Sequence, residues 1–188
     1  MGVSGGECVV LDTMCLMHYA LADRLDVLGS FLVGCRPFST VVVRGELLEK
    51  TRTRDARISN ALSLPWLEFD PLNNVADLDL FADWTRRVGA GTYNTGEASV
   101  FAVAEKLRGI AITDDTEATR VARNHGLEVH GNLWILARSC CEGKTTVAGA
   151  STMVDMLRAT GLRLPCTGAG FESWARRYGL LRATGPGT

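Results

Sequence analysis

Two short apolar runs end directly in acid, and this pattern constrains the chain more than any other feature. Cys8-Val9-Val10-Leu11 stops at Asp12, and Gly109-Ile110-Ala111-Ile112-Thr113 stops at Asp114 and Asp115. Runs that are apolar throughout, rather than alternating, read as strands buried on both faces. Between them the apolar residues return at helical spacing. Met14 to Gly29 carries Leu16, Tyr19, Ala20 and Leu28. Val75 to Val88 carries Leu78, Phe81, Ala82 and Val88 on one side. Strands alternating with helices predict βαβ units and a parallel sheet.

The remaining elements follow from local signals. Thr95 is read as the cap of a helix from Gly96 to Leu107, after a break at Gly89-Ala90-Gly91. Thr116 is read as the cap of a helix ending at Gly126, Leu127 to His130 as a strand, and Leu133 to Cys141 as a helix. Thr53 to Leu64 reads as a helix ended by Pro65, followed by a strand at Trp66 to Phe69. Phe38 to Val43 has two readings: its β-branched residues fit a strand, and Thr40 also fits the cap of a helix through Glu46 to Lys50. Two tail helices, Ser151 to Thr160 and Phe171 to Gly179, look too short for an independent domain. Residues 166–188 are expected to form a helical extension and tail on a domain spanning 1–165.

Composition removes several classes. With 188 residues, 46% hydrophobic and 22% charged, the chain is neither disordered nor fibrous. A domain of this size needs no disulfide or structural metal to complete its core. A net charge of −1 excludes a strongly basic coat protein but not an enzyme with a local basic face. The basic residues are 17 Arg against 3 Lys; high-GC coding bias is the plain explanation, although Arg also suits phosphate. The six cysteines form no CxxC pair and no zinc spacing. No signal peptide or 18-residue apolar run is seen, so a cytoplasmic protein without a membrane partner is expected.

The acids carry the chemistry. In parallel α/β sheets ligands bind outside the carboxyl ends of the strands, where Asp12, Asp114 and Asp115 fall. Glu97 opens an otherwise apolar helix, and Glu46 sits among Val41, Val42, Val43, Leu47 and Leu48. Buried carboxylates are costly unless paired or metal-bound. A hard divalent cation, Mg²⁺ or Mn²⁺, would cancel their repulsion and serve phosphodiester hydrolysis. Without a cation, at least one of these carboxyls is expected to titrate well above its usual range, through like-charge repulsion. Each acid also has a simpler reading: Asp12, Asp114 and Asp115 as helix caps, Glu97 as a helix-dipole partner and Glu46 as a solvated residue.

The ordered set Val9-Val10-Leu11-Asp12-Thr13, Val43-Arg44-Gly45-Glu46-Leu47, Gly96-Glu97-Ala98 and Ile112-Thr113-Asp114-Asp115 resembles the motifs of PIN-domain nucleases. The run Asp114-Asp115-x-x-Ala118-x-Arg120-x-Ala122-x-x-x-Gly126-Leu127-x-Val129-x-Gly131 is similar to a prokaryotic PIN-like group related to VapC-type toxins. Val154 to Leu164 resembles that group's C-terminal extension. The sequence departs from the family at Thr40, where a proline is usual, and at Gly131-Asn132-Leu133-Trp134. The resemblance implies a three-layer α/β/α sandwich with a central parallel sheet. It also implies a Mg or Mn site and hydrolysis of single-stranded RNA. Asp12, Glu46, Glu97 and Asp115 match the catalytic quartet. The metal set is Asp12, Glu97, Asp114 and Asp115, with Asp114 competing with Asp115 for the fourth place. Thr13 and Thr113 support these acids.

Arg120 and Arg123 are expected to contact the RNA backbone. The Trp residues are read as core. A toxin role, an antitoxin partner and a homodimer complete the expectation. The alternatives are an inactive PIN-like binding module and a haloacid-dehalogenase-type phosphatase. The phosphatase needs a second Asp where Met14 stands.

Overall fold

Five strands form one all-parallel sheet: β1 (Cys8–Leu11), β2 (Arg36–Thr40), β3 (Glu68–Asp70), β4 (Ile110–Ile112) and β5 (Val129–His130). The computed structural model describes residues 6–89 and 94–181. The strand order is β3-β2-β1-β4-β5. Val10 pairs with Phe38 on one side and Ala111 on the other, and Leu11 lies opposite Ile112. The chain builds outward from β1 to β3, then returns to the other side of β1 for β4 and β5. The reversal therefore falls between β1 and β4, and a crevice at such a point is where ligands bind.

Helices cover both faces, giving the expected three-layer α/β/α sandwich. α1 (Thr13–Leu21) and α2 (Leu25–Phe31) follow β1. A single helix was expected over Met14 to Gly29; instead the chain breaks at Asp23, which takes a left-handed φ of 56°. Asp tolerates that conformation because its short polar side chain bonds locally. Both readings of Phe38 to Val43 hold in part. The strand ends at Thr40, whose hydroxyl accepts the Val43 N–H at 3.1 Å and caps α3 (Val41–Thr53). Burial of Val43 outweighs its weak helix propensity.

Several boundaries are corrected. The expected helix from Thr53 to Leu64 is the end of α3 plus a 3-10 segment, Ala56–Ser63, capped by Asp55. α4 (Val75–Arg87) is capped by Asn74. The expected break at Ala90-Gly91 lies outside the described residues. α5 (Thr95–Leu107) includes Thr95 as its first residue rather than as its cap. α6 (Thr116–Asn124) is capped by Asp115, not Thr116. α7 (Asn132–Cys141) follows β5, and α8 (Val147–Ala159) and α9 (Gly168–Arg177) begin earlier than expected, capped by Thr146 and Thr167.

α5 lies across β1, β2 and β4, with α3 and α4 packed on it. Its residues Ala98 to Ala104 are all buried, which explains why its sequence lacks an amphipathic stripe. Lys106 near its end donates to Asp70 after β3 at 3.0 Å and to Asp77 of α4 at 2.7 Å. α9 packs on α7 and α8, and Phe171 and Ala175 join the core.

Candidate active site

Asp12 leaves β1 beside the chain reversal and caps α1: its Oδ1 accepts the Cys15 N–H at 2.6 Å. Its Oδ2 is buried and accepts no hydrogen bond. Thr113, just after β4, approaches this carboxyl and favours its ionised form, without completing a hydrogen bond to Oδ2. Burial dominates and pushes the Asp12 pKa up to about 8; the Cys15 amide and Thr113 oppose this, and the charges of Asp114 and Glu97 add to it. The rise anticipated from the sequence is present, with desolvation rather than like-charge repulsion as its leading cause.

Two glutamates face this point from the helices. Glu46 of α3 accepts a hydrogen bond from the Thr13 hydroxyl. It lies against Gly96, where a Cβ would meet Glu46 Oε2 at 2.7 Å. A side chain at this position would displace the Glu46 carboxylate, so the glycine leaves it in place against α5. Glu97, half-buried in the first turn of α5, has its pKa raised by burial first, then by the charges of Glu46 and Asp115.

The two aspartates after β4 separate. Asp115 is exposed and caps α6, accepting the Ala118 N–H at 2.6 Å. Asp114 turns toward α7 and accepts from Asn132 N at 3.0 Å and Asn132 Nδ2 at 2.5 Å. Burial raises its pKa, and Asn132 partly offsets the rise. Gly131 has no side chain to cap α7, so Asp114 does this from across the sheet edge; a Cβ on Gly131 would lie 2.3 Å from Asp114 Oδ1. The Cys15 thiol completes the chain by donating to Asn132 Oδ1 at 3.1 Å.

The acids expected from the sequence are near enough to feel one another: Asp12 senses Asp114 and Glu97, and Glu97 senses Glu46 and Asp115. Glu97, Thr113, Asp114 and Asp115 line a cavity of about 300 Å³ there, with Met14 and Arg163. The carboxylates are not drawn into a tight cage. Among the described residues, no group of three His, Cys, Asp or Glu side chains is gathered closely enough to hold a metal ion directly. The donors nevertheless suit a hard cation: all are carboxylate oxygens, and the lone Asp12 Oδ2 is buried without a partner.

Both arginines expected to contact RNA have partners within the fold, and Arg123 also lines the neighbouring cavity with His130 and Trp134. Arg120 is exposed and paired with Glu117. The Arg123 guanidinium is held by the Val129 carbonyl at 2.6 Å. Arg163 stands on the crevice instead and makes no ion pair or hydrogen bond among the described residues. Sequence reading missed Arg163 and Asn132. Gly131 is the small residue that lets Asp114 approach Asn132. Of the Trp residues, Trp84 is core as expected, and Trp66, Trp134 and Trp174 are partly buried against the core, with Trp134 and Trp174 also lining a second cavity.

A parallel sheet that reverses beside an acid-lined crevice defines an α/β/α protein whose crevice lies where folds of this kind bind ligands. A PIN-domain family model matches residues 8–167, and the chain belongs to that family, with the nuclease-like fold this carries. No curated protein matches it.

Proposed function

We propose that the protein is a metal-dependent ribonuclease that hydrolyses phosphodiester bonds of single-stranded RNA at this crevice. The observation that carries the reading is the buried, unpartnered Asp12 Oδ2 at the β1–β4 reversal. Asp12 would hold Mg²⁺ or Mn²⁺ directly; Glu97 and Asp115 would do so through water, since Mg²⁺ keeps several waters of its own. A cation held by these residues would supply a water of lowered pKa and would neutralise charge on the scissile phosphate. Thr13 orients Glu46, and Thr113 favours the ionised form of Asp12. Asn132 fixes Asp114, which acts as a positioning residue, so Asp115 takes the fourth place in the acidic set.

The toxin role, with a neighbouring antitoxin, rests on the resemblance of the acidic motifs to VapC-type toxins. A homodimer is supported by exposed apolar residues on the outer helices: Val41 and Leu48 on α3, Val75 and Leu78 on α4. A second reading, an inactive RNA-binding module, is favoured by the capping duties of Asp114 and Asp115 and the absence of a tight ligand group among the described residues.

Incubation of single-stranded RNA with the protein separates the two. Cleavage in Mn²⁺ that EDTA abolishes is the expected result. Cleavage that persists in EDTA overturns the metal mechanism, and RNA binding without cleavage in either metal establishes the module.

A further inference from the structure

We propose that the cleft between α6, α7 and α9 is a nucleobase pocket, which stacks an unpaired base of an RNA strand whose phosphate lies at the acidic crevice. The choice of RNA rests on the nuclease reading above. The cleft encloses about 700 Å³, within the roughly 300–1,000 Å³ typical of small-ligand sites. It is continuous with the crevice: Thr113, Asp114 and Arg163 line both cavities. A strand held at one can therefore extend into the other.

The walls are aromatic on two sides. From β5 and α7 come His130 and Trp134, stacked with ring centres 4.3 Å apart and planes 4° from parallel. From α9 come Trp174 and Tyr178, with ring centres 4.8 Å apart. Tyr178 is 60% exposed, so the fold does not need its ring for burial. Every base has a π-face, so such rings bind single strands without regard to sequence. Arg163 at the junction of the two cavities supplies a cation for the phosphate between them. This mix of rings and free guanidinium suits a nucleotide better than an apolar peptide. Trp174 and Tyr178 lie beyond the family match at 8–167, so one aromatic wall comes from outside the matched segment and the rest of the lining from within it.

The test is fluorescence polarisation of a short labelled single-stranded RNA, with an abasic strand of equal length as control. Ca²⁺ replaces Mg²⁺ to neutralise the acids with a looser coordination geometry. Tyr178→Ala is expected to weaken RNA binding by roughly tenfold, the scale of one lost base–aromatic stack, and to leave the abasic strand unaffected. Tyr178→Phe keeps the ring and should bind as wild type does. Arg163→Ala should weaken both strands alike. The pocket is overturned if Tyr178→Ala binds RNA like wild type, if it weakens both strands equally, or if wild type prefers neither strand. Metal-dependent cleavage with no base-dependent binding removes the pocket alone. Base-dependent binding with no cleavage removes the nuclease alone.

Discussion

At the residue scale, Asp12 does two jobs that the sequence presented as alternatives. One oxygen caps α1 and the other is left buried and unpartnered, so the helix cap leaves an oxygen over for the proposed site. Its titration predicts a pH dependence of stability. In the unfolded chain Asp12 loses its proton near 3.8; in the folded protein it keeps it to about 8. The folded state therefore binds more protons across that window, and the stability this confers is lost as pH rises through it. Glu97 and Asp114, also raised, act in the same direction.

His18 opposes them at lower pH. Burial lowers it from 6.5 to about 4, so its contribution is present above 6.5 and lost as pH falls. Between pH 6.5 and 8 only the acids act. Metal-free protein should then lose up to about 1.4 kcal/mol per pH unit from Asp12. Melting curves across that range check this: Tm should fall for wild type and flatten for Asp12→Asn. Gly96→Ala gives a second residue-scale prediction. The new methyl would press on the Glu46 carboxylate, a movable group, while Ala favours helix over Gly by roughly 0.5–1 kcal/mol. Stability should change little, and RNA cleavage should drop by about tenfold or more, the scale of ~1.4 kcal/mol in a barrier.

At the element scale, the caps decide what survives mutation. Asp115→Asn keeps a good N-cap and should leave the melting temperature nearly unchanged, whereas Asp115→Ala should cost about 1 kcal/mol. If Asp115 also serves the cation, both variants lower cleavage; if it is only a cap, Asn retains full activity. Lys106 is the structural counterpart, because Lys106→Ala would leave Asp70 and Asp77 buried against each other without their shared cation. With Lys106 partly solvated, that loss should be about 2–3 kcal/mol in denaturant titration, below the roughly 3–5 kcal/mol of a fully buried pair because solvent screens the charge.

What was legible at this scale was the kind of element more than its limits. Strands ending in Asp12 and Asp114 were clear because a run of branched residues meets a charge. The break at Asp23 was not, because only its left-handed backbone marks it. The 3-10 segment was also hidden, since its apolar spacing resembles a helix. The Asp114–Asn132 bond joins residues far apart in sequence, and no local pattern encodes it.

At the scale of the whole molecule, the sheet order places both acid-ended strands side by side, and the sequence reading required only that they be neighbours. No described helix is long and apolar enough to cross a membrane. Light scattering should show a dimer that Leu48→Glu with Leu78→Glu reduces to monomer; a wild-type monomer at high concentration contradicts the dimer. The cation itself is the most direct test. Mn²⁺ titrations followed by the electron paramagnetic resonance signal of the free ion, at pH 8, compare wild type with Asp12→Asn. Wild type should remove Mn²⁺ from solution at one ion per chain, and Asp12→Asn should lose most of that affinity, because the buried oxygen no longer carries charge. Equal uptake by the two proteins, or none by wild type, would contradict a metal centre at Asp12.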